Sequence, residues 1–231
     1  MKNLIYIIPL LLFLNSSCQK EVLGIEKSSG INLNGVHIVA DGNSYFTYCC
    51  SGATPPQYLL MDTVPFSTPG FAYMDGGFSY GRLTSTMITE FPTNIVPTYN
   101  PAVENVIIFQ ESGNEMLFTC NADSIVARTL QYCALAHAAG FKVIISTLIH
   151  RNQGTYCAWT TEAEYNAGID EFNTKILTHV GTGEFDGIIQ PHLESIFATY
   201  ASPGYYTDGI HPSAIGHYRY MQLYYQAILS L

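Results

Sequence analysis

The chain has 231 residues, 48 % of them hydrophobic and only 12 % charged, with 9 Lys and Arg against 18 Asp and Glu and a formal net charge of −9. So few basic residues on an acidic chain exclude the electrostatic footprint of a nucleic-acid binder and strong attachment to anionic lipid head groups. The length suits one domain with a sizeable core.

In chain order, Lys2 followed by the apolar run Leu4 to Leu14 predicts a signal peptide. The run is too short for a membrane span, which needs roughly 20 residues. Asn15-Ser16-Ser17-Cys18 resembles a bacterial lipobox, with Asn15 where an aliphatic residue is usual. That resemblance implies a signal peptide over 1–17, lipidation of Cys18, and export to the bacterial envelope. Residues 18–34 then form a polar tether and 35–231 the folded domain. Removing residues 1–17 takes away one lysine, which leaves 8 basic against 18 acidic residues and a net charge of −10.

Val36 to Ala40 is a short apolar run ending in Asp-Gly and predicts a buried strand. Phe71 to Met74 predicts a second strand and Val106 to Phe109 a third. Asp123 is placed to cap a helix running to Ala139, with Ile125, Thr129, Cys133 and Ala136 on one face and Gly140 at its end. Lys142 to Leu148 predicts a fourth, central strand. Thr161 and Glu164 form a capping-box pattern, and Tyr165, Ile169, Phe172, Ile176 and Val180 follow at helical spacing. Phe185 to Ile189 predicts a fifth strand. Pro212 suits the first position of a last helix that turns Ile215, Tyr218, Met221, Tyr225 and Ile228 inward.

Strands alternating with helices predict a parallel sheet with right-handed crossovers. The expected fold is an α/β three-layer α/β/α sandwich with a five-stranded, flavodoxin-like sheet. Cys49, Cys50, Cys120, Cys133 and Cys157 follow Cys18, so an exported chain leaves at least one of these five unpaired within the domain. They show no CxxC pair, and Cys133 reads as a small core residue.

Two short segments carry chemistry. Asp41-Gly42-Asn43-Ser44 closes the first strand, and Asp208-Gly209-Ile210-His211-Pro212 precedes the last helix. A carboxylate three residues before a histidine can hold the ring's Nδ1–H on one turn, which leaves Nε2 free to take a serine proton. In an open α/β sheet the site lies beyond the carboxyl ends of the strands. Ser44, Asn114 and His211 follow the first, third and fifth strands, so the topology sends all three to one edge. Taken singly, Ser44 also suits a helix cap, Asp208 an Asp-Gly turn and Asn114 a loop.

In this order the segments resemble the SGNH (GDSL-like) hydrolases. Gly42-Asn43-Ser44 stands for the first block, Gly81 in Tyr80-Gly81-Arg82-Leu83-Thr84 for the second, Ser112-Gly113-Asn114-Glu115 for the third, and Asp208 to His211 for the last. The resemblance implies a serine esterase with Ser44 as nucleophile, His211 as base and Asp208 as its orienting acid. It implies an oxyanion hole from Ser44, Gly81 and Asn114, and no metal or organic cofactor. Asn43 and Glu115 depart from the usual aspartates, and Ser112 from a glycine. An export signal without a long apolar lid leans towards short acyl groups on carbohydrate, and a lipid or lysophospholipid ester is the alternative within the fold.

Three further readings compete. Gly77-Phe78-Ser79-Tyr80-Gly81 fits the nucleophile-elbow pattern of α/β-hydrolases, but too few residues precede it for the strands that elbow requires. His37, His150, His192, His211 and His217 could ligate a metal, although no HxH or HExxH spacing supports them. His137 and His179 fall on predicted helices and read as structural or exposed. A surface lipoprotein that binds glycan through Tyr205, Tyr206 and the tyrosines of the last helix is the non-enzymatic reading.

Overall fold

The computed structural model describes residues 35–46, 54–62, 72–75, 82–152, 161–200 and 204–231. Five strands, β1 (Val36–Gly42), β2 (Ala72–Asp75), β3 (Glu104–Gln110), β4 (Lys142–Ser146) and β5 (Gly187–Ile189), form one sheet in the order β2-β1-β3-β4-β5. Every pairing is parallel. Six helices are described: α1 (Pro56–Met61), α2 (Thr84–Asn94), α3 (Gly113–Thr119), α4 (Ala122–Ala138), α5 (Glu162–Leu177) and α6 (Ala214–Ser230).

Strand parity divides the core. Val39, Ile107, Phe109, Val143 and Ile145 pack with Met87, Phe91, Met116, Tyr132, Phe172 and Ile176 from α2, α3, α4 and α5. Their neighbours Val36, Ile38, Ala40, Val106, Ile108 and Ile144 pack with Leu60 from α1 and Tyr220, Met221, Tyr224 and Ile228 from α6. Successive strand residues point to opposite faces, so β-branched runs without alternation are what a sheet covered on both sides requires. The three-layer α/β/α sandwich expected from the sequence is therefore present.

The capping box of α5 forms as expected: Thr161 Oγ1 accepts from Glu164 N–H at 3.2 Å, and Glu164 Oε2 accepts from Thr161 N–H at 3.0 Å. Three local expectations need correction. The side-chain cap of α4 is Asn121, which accepts from Ser124 N–H at 2.9 Å, and Asp123 instead binds Lys175 on the surface. Val180 is 52 % exposed because α5 ends at Leu177. α6 starts at Ala214 with Ser213 as cap, and Pro212 lies ahead of it. Its buried face is Gly216, His217, Tyr220, Met221, Tyr224 and Ile228, whereas Ile215 and Tyr218 are exposed.

Cys120 is disulfide-bonded, and the positions of Cys18, Cys49, Cys50 and Cys157 lie outside the described residues. Cys133 is free and buried, and burial pushes its thiol up to about 12, which keeps it protonated and inert. No helix among the described residues is long and apolar enough to cross a membrane.

Candidate active site

β1 delivers Ser44 to the carboxyl edge of the sheet. A Cβ at Gly42 would stand 2.9 Å from the Gln110 carbonyl and 2.6 Å from the Phe46 ring, so only glycine lets the chain leave β1 this close to β3. Asn43 N–H then donates to that Gln110 carbonyl at 3.1 Å, and Asn43 Oδ1 accepts from Tyr45 N–H at 3.0 Å. The turn Ser44–Phe46 places the serine hydroxyl beyond the strand.

The histidine arrives on a loop that builds itself. Asp208 Oδ1 accepts from the N–H groups of Ile210 and His211 at 2.9 and 2.8 Å, an Asx turn that bends the chain through Gly209 at φ +79°. The other oxygen, Oδ2, accepts from His211 Nδ1–H at 2.7 Å. A carboxylate acceptor there fixes the ring proton on Nδ1, so Nε2 accepts from Ser44 Oγ–H, 2.9 Å away. Ser44 and His211 are both buried, at 7 % and 8 % exposure. Partial burial works against ionisation of Asp208, but the N–H groups of His211 and Ile210 and the imidazole outweigh it and hold the carboxyl below its ordinary value.

Asn114 opens α3 just past β3, the strand that pairs with β1. Its Nδ2–H donates to the Arg82 carbonyl at 3.2 Å. Gly81, the other expected oxyanion donor, lies outside the described residues, as does Ser79 of the elbow-like pattern. Ser112, where the resembled block carries glycine, adopts φ +83°. The side chain has changed while the backbone keeps a conformation that glycine adopts freely. Glu115 accepts from Ser85 N–H and Oγ–H at 3.2 and 3.1 Å and pairs with Arg128, which ties α3 to the start of α2.

Several buried polar residues escaped the motif reading. Arg82 donates to Asp41 at 2.5 Å and to Glu90, and Tyr132 O–H donates to Asp41 at 2.6 Å. This network anchors the carbonyl that receives the Asn114 amide. Tyr45 O–H donates to the Ile210 carbonyl at 2.8 Å, and burial pushes the phenol up to about 12 against the opposing charge of Arg151, so it stays a donor. Glu111 and Arg151 are buried behind the same loops.

The alternative ligands do not converge. His37 bonds Asn105, His150 bonds Asp170 and His192 bonds Thr147. His217 donates to the Thr54 carbonyl at 3.2 Å, and burial drives its pKa down to about 4. Among the described residues, no three of His, Cys, Asp and Glu group as a metal site. His137 and His179 pair with Asp186 and Glu184 near the surface. Tyr206 is buried and donates to the His150 carbonyl at 2.9 Å, so it belongs to the core and not to an open groove.

No protein-family model matches the chain, and no curated protein matches it. Solved structures do. A member of the lipolytic protein G-D-S-L family from Veillonella parvula aligns at 13 % identity and TM-score 0.67, over 85 % of this chain and 100 % of that one. A GDSL-like lipase from Bacteroides thetaiotaomicron aligns at 16 % identity and TM-score 0.60, over 93 % and 95 %. An acetyl xylan esterase aligns at 12 % identity and TM-score 0.61, over 83 % and 99 %. At these identities the likeness establishes the fold, which is that of the SGNH hydrolases.

Proposed function

We propose that this SGNH-fold chain is a serine esterase. The observation that carries the reading is the pair of contacts at one imidazole: Ser44 Oγ at 2.9 Å from Nε2 and Asp208 Oδ2 at 2.7 Å from Nδ1. Nucleophile, base and orienting acid lie in hydrogen-bonding reach without any movement.

Ser44 Oγ attacks the ester carbonyl carbon as its proton passes to His211 Nε2. Asp208 accepts the Nδ1–H throughout and steadies the imidazolium. The Ser44 and Gly81 N–H groups and the Asn114 amide receive the developing oxyanion. Loss of one such donor typically lowers kcat about 10²–10³-fold. The proton on Nε2 then goes to the departing alcohol. Water, deprotonated by the same nitrogen, cleaves the acyl-enzyme, releases the acid and restores Ser44. No step calls on a metal or organic cofactor.

The substrate assigned here is a short acyl group, acetyl foremost, on carbohydrate. The export-type leader, the acidic chain and the likeness in fold to an acetyl xylan esterase support it. Under the same reading residues 1–17 are removed, Cys18 carries the lipid anchor at the bacterial envelope, and 35–231 is the catalytic domain.

The test is hydrolysis of p-nitrophenyl acetate. Wild type turns it over in the presence of chelator, while Ser44→Ala and His211→Ala each abolish turnover and Ser79→Ala does not. Faster release of acetate from acetylated xylan than of acyl groups from longer-chain esters supports the carbohydrate assignment. The reverse order assigns lipid, and glycan binding without turnover overturns the enzyme.

A further inference from the structure

Behind the strand ends that carry Ser44 and Asn114 lie two charged residues that the proposed chemistry does not use. Glu111, directly after β3, is 1 % exposed, and Arg151, beyond β4, is 3 % exposed. Burying opposite charges is expensive, and apolar side chains of similar volume usually serve stability as well or better. What apolar side chains cannot do is hold backbone polar groups in place.

Here both charges do that. Glu111 Oε2 accepts from Asn114 N–H at 3.3 Å and Oε1 from Glu115 N–H at 3.0 Å. Arg151 Nη2–H donates to the Gly113 carbonyl at 2.5 Å, and Tyr165 O–H donates to the same oxygen at 3.1 Å. Arg151 is itself held by the Tyr165 hydroxyl, which accepts from Nε–H at 2.7 Å. The turn that presents Asn114 is thus gripped through its N–H groups from one side and its carbonyl from the other, across a Ser112 backbone at φ +83°. Such a conformation persists only where its surroundings over-determine it.

The same guanidinium reaches the histidine arm. Arg151 and Tyr45 line one small cavity with Asn43, Gln110 and Gly113, and Tyr45 O–H holds the Ile210 carbonyl next to His211. One side chain therefore touches the oxyanion loop directly and the base loop through a single phenol.

We propose that Glu111 and Arg151 are positioning residues for ester hydrolysis, fixing the Asn114 turn and, through Tyr45, the His211 loop. The inference rests on the esterase reading above. Burial pushes the Glu111 carboxyl up to about 8, opposed by Arg151, the Asn114 N–H and Arg82. The groups facing it are thus two cations and the first N–H groups of α3. Ionised Glu111 accepts both N–H bonds, so the grip tightens as pH rises through that value.

The experiment compares p-nitrophenyl acetate kinetics of full-length wild type, Arg151→Lys, which keeps the charge but not the planar fork, and Glu111→Gln, which keeps the shape but not the charge. Each variant is expected to lose about 10–100-fold in kcat with KM within about twofold, since a displaced donor is felt mainly in the transition state. Wild-type kcat should rise through a limb near pH 8, the value to which burial brings Glu111, and Glu111→Gln should lack that limb. Folded variants with kcat within about twofold of wild type and an unchanged pH profile overturn the proposal. If neither variant folds, Tyr165→Phe decides, because it removes the phenolic support of Arg151 and the phenol's own bond to the Gly113 carbonyl while both charged side chains stay. A fall of about 3–10-fold in kcat is expected, and an unchanged kcat overturns the proposal. Wild type without turnover, or Ser44→Ala with full turnover, fails the esterase reading first and takes this proposal with it.

Discussion

The phenol of Tyr45 donates to the carbonyl of Ile210 across 2.8 Å, which ties the residue after Ser44 to the residue before His211. The two sides of the proton-transfer pair are thereby fastened by their immediate neighbours, 165 positions apart in sequence. The Tyr45 ring also stands edge-on to the imidazole at 5.9 Å, so its body limits the ring's sway while its hydroxyl fixes the loop.

Tyr45→Phe keeps the edge contact and deletes the tether. An unsatisfied, partly buried carbonyl lowers stability by about 1–3 kcal/mol. The expected result is a folded protein with kcat/KM for p-nitrophenyl acetate down about tenfold, measured beside thermal unfolding. An unchanged kcat/KM would show that the loop holds itself.

Asp208→Asn should preserve the Asx turn, because an amide oxygen still accepts from Ile210 and His211. It presents the wrong partner to Nδ1–H, so kcat should fall by about 10²–10⁴-fold at unchanged fold. The wild-type carboxyl is held below its ordinary value. Its stabilising contribution is therefore present above the unfolded-state value and lost as pH falls through the lower folded-state value. Acid unfolding followed by circular dichroism should show wild type losing its advantage over the Asn variant in that acidic window.

Ser112 offers a comparison of two small substitutions. Glycine adopts φ +83° freely, whereas alanine keeps the strain and loses the 3.0 Å hydroxyl contact with Thr129. Ser112→Gly should be more stable than Ser112→Ala by about 1 kcal/mol or more in urea unfolding. Equal stabilities would count against backbone strain at this turn.

Glu111 sets a pH trend of the opposite sign. Its carboxyl is raised from 4.5 to about 8 because burial outweighs Arg151 and the Asn114 N–H. Between those values the folded chain keeps a proton that the unfolded chain has released. The contribution is full below 4.5 and is lost as pH rises through about 8. Glu111→Gln has nothing to lose there, so its Tm relative to wild type should climb between pH 4.5 and about pH 8 and level off above that. A constant difference would place the wild-type titration elsewhere.

The sequence made β1, β3 and β4 legible because buried parallel strands are short β-branched runs, and α5 because a capping box is a local signal. Neither α2, interrupted by Pro92, nor the seven-residue α3 carries such a signal, and both went unread. In α6 two tyrosine-bearing stripes run in parallel, and local periodicity cannot choose between them. The choice is tertiary: Gly216 sits where a Cβ would meet the Pro212 side chain at 2.8 Å, so that stripe packs closest. The meeting of Ser44, His211 and Asp208 was legible because strand order places loop ends. The roles of Asp41 with Arg82, and of Glu111 with Arg151, were not. Each partner lies about 40 residues from the other, and a lone charge beside an apolar run looks the same whether it faces solvent or a buried backbone turn.

The parity of β1 has one more consequence. Val39 looks to one slab of helices, Ala40 to the other, and Asp41 meets Tyr132 on the first side again. The direction in which Ser44 leaves the sheet is thus counted out residue by residue along a ruler. Inserting or deleting a single amino acid within β1, between Val36 and Asp41, would aim the hydroxyl at the wrong hemisphere with every reactive group still present, whereas lengthening the segments between strands would leave the aim untouched.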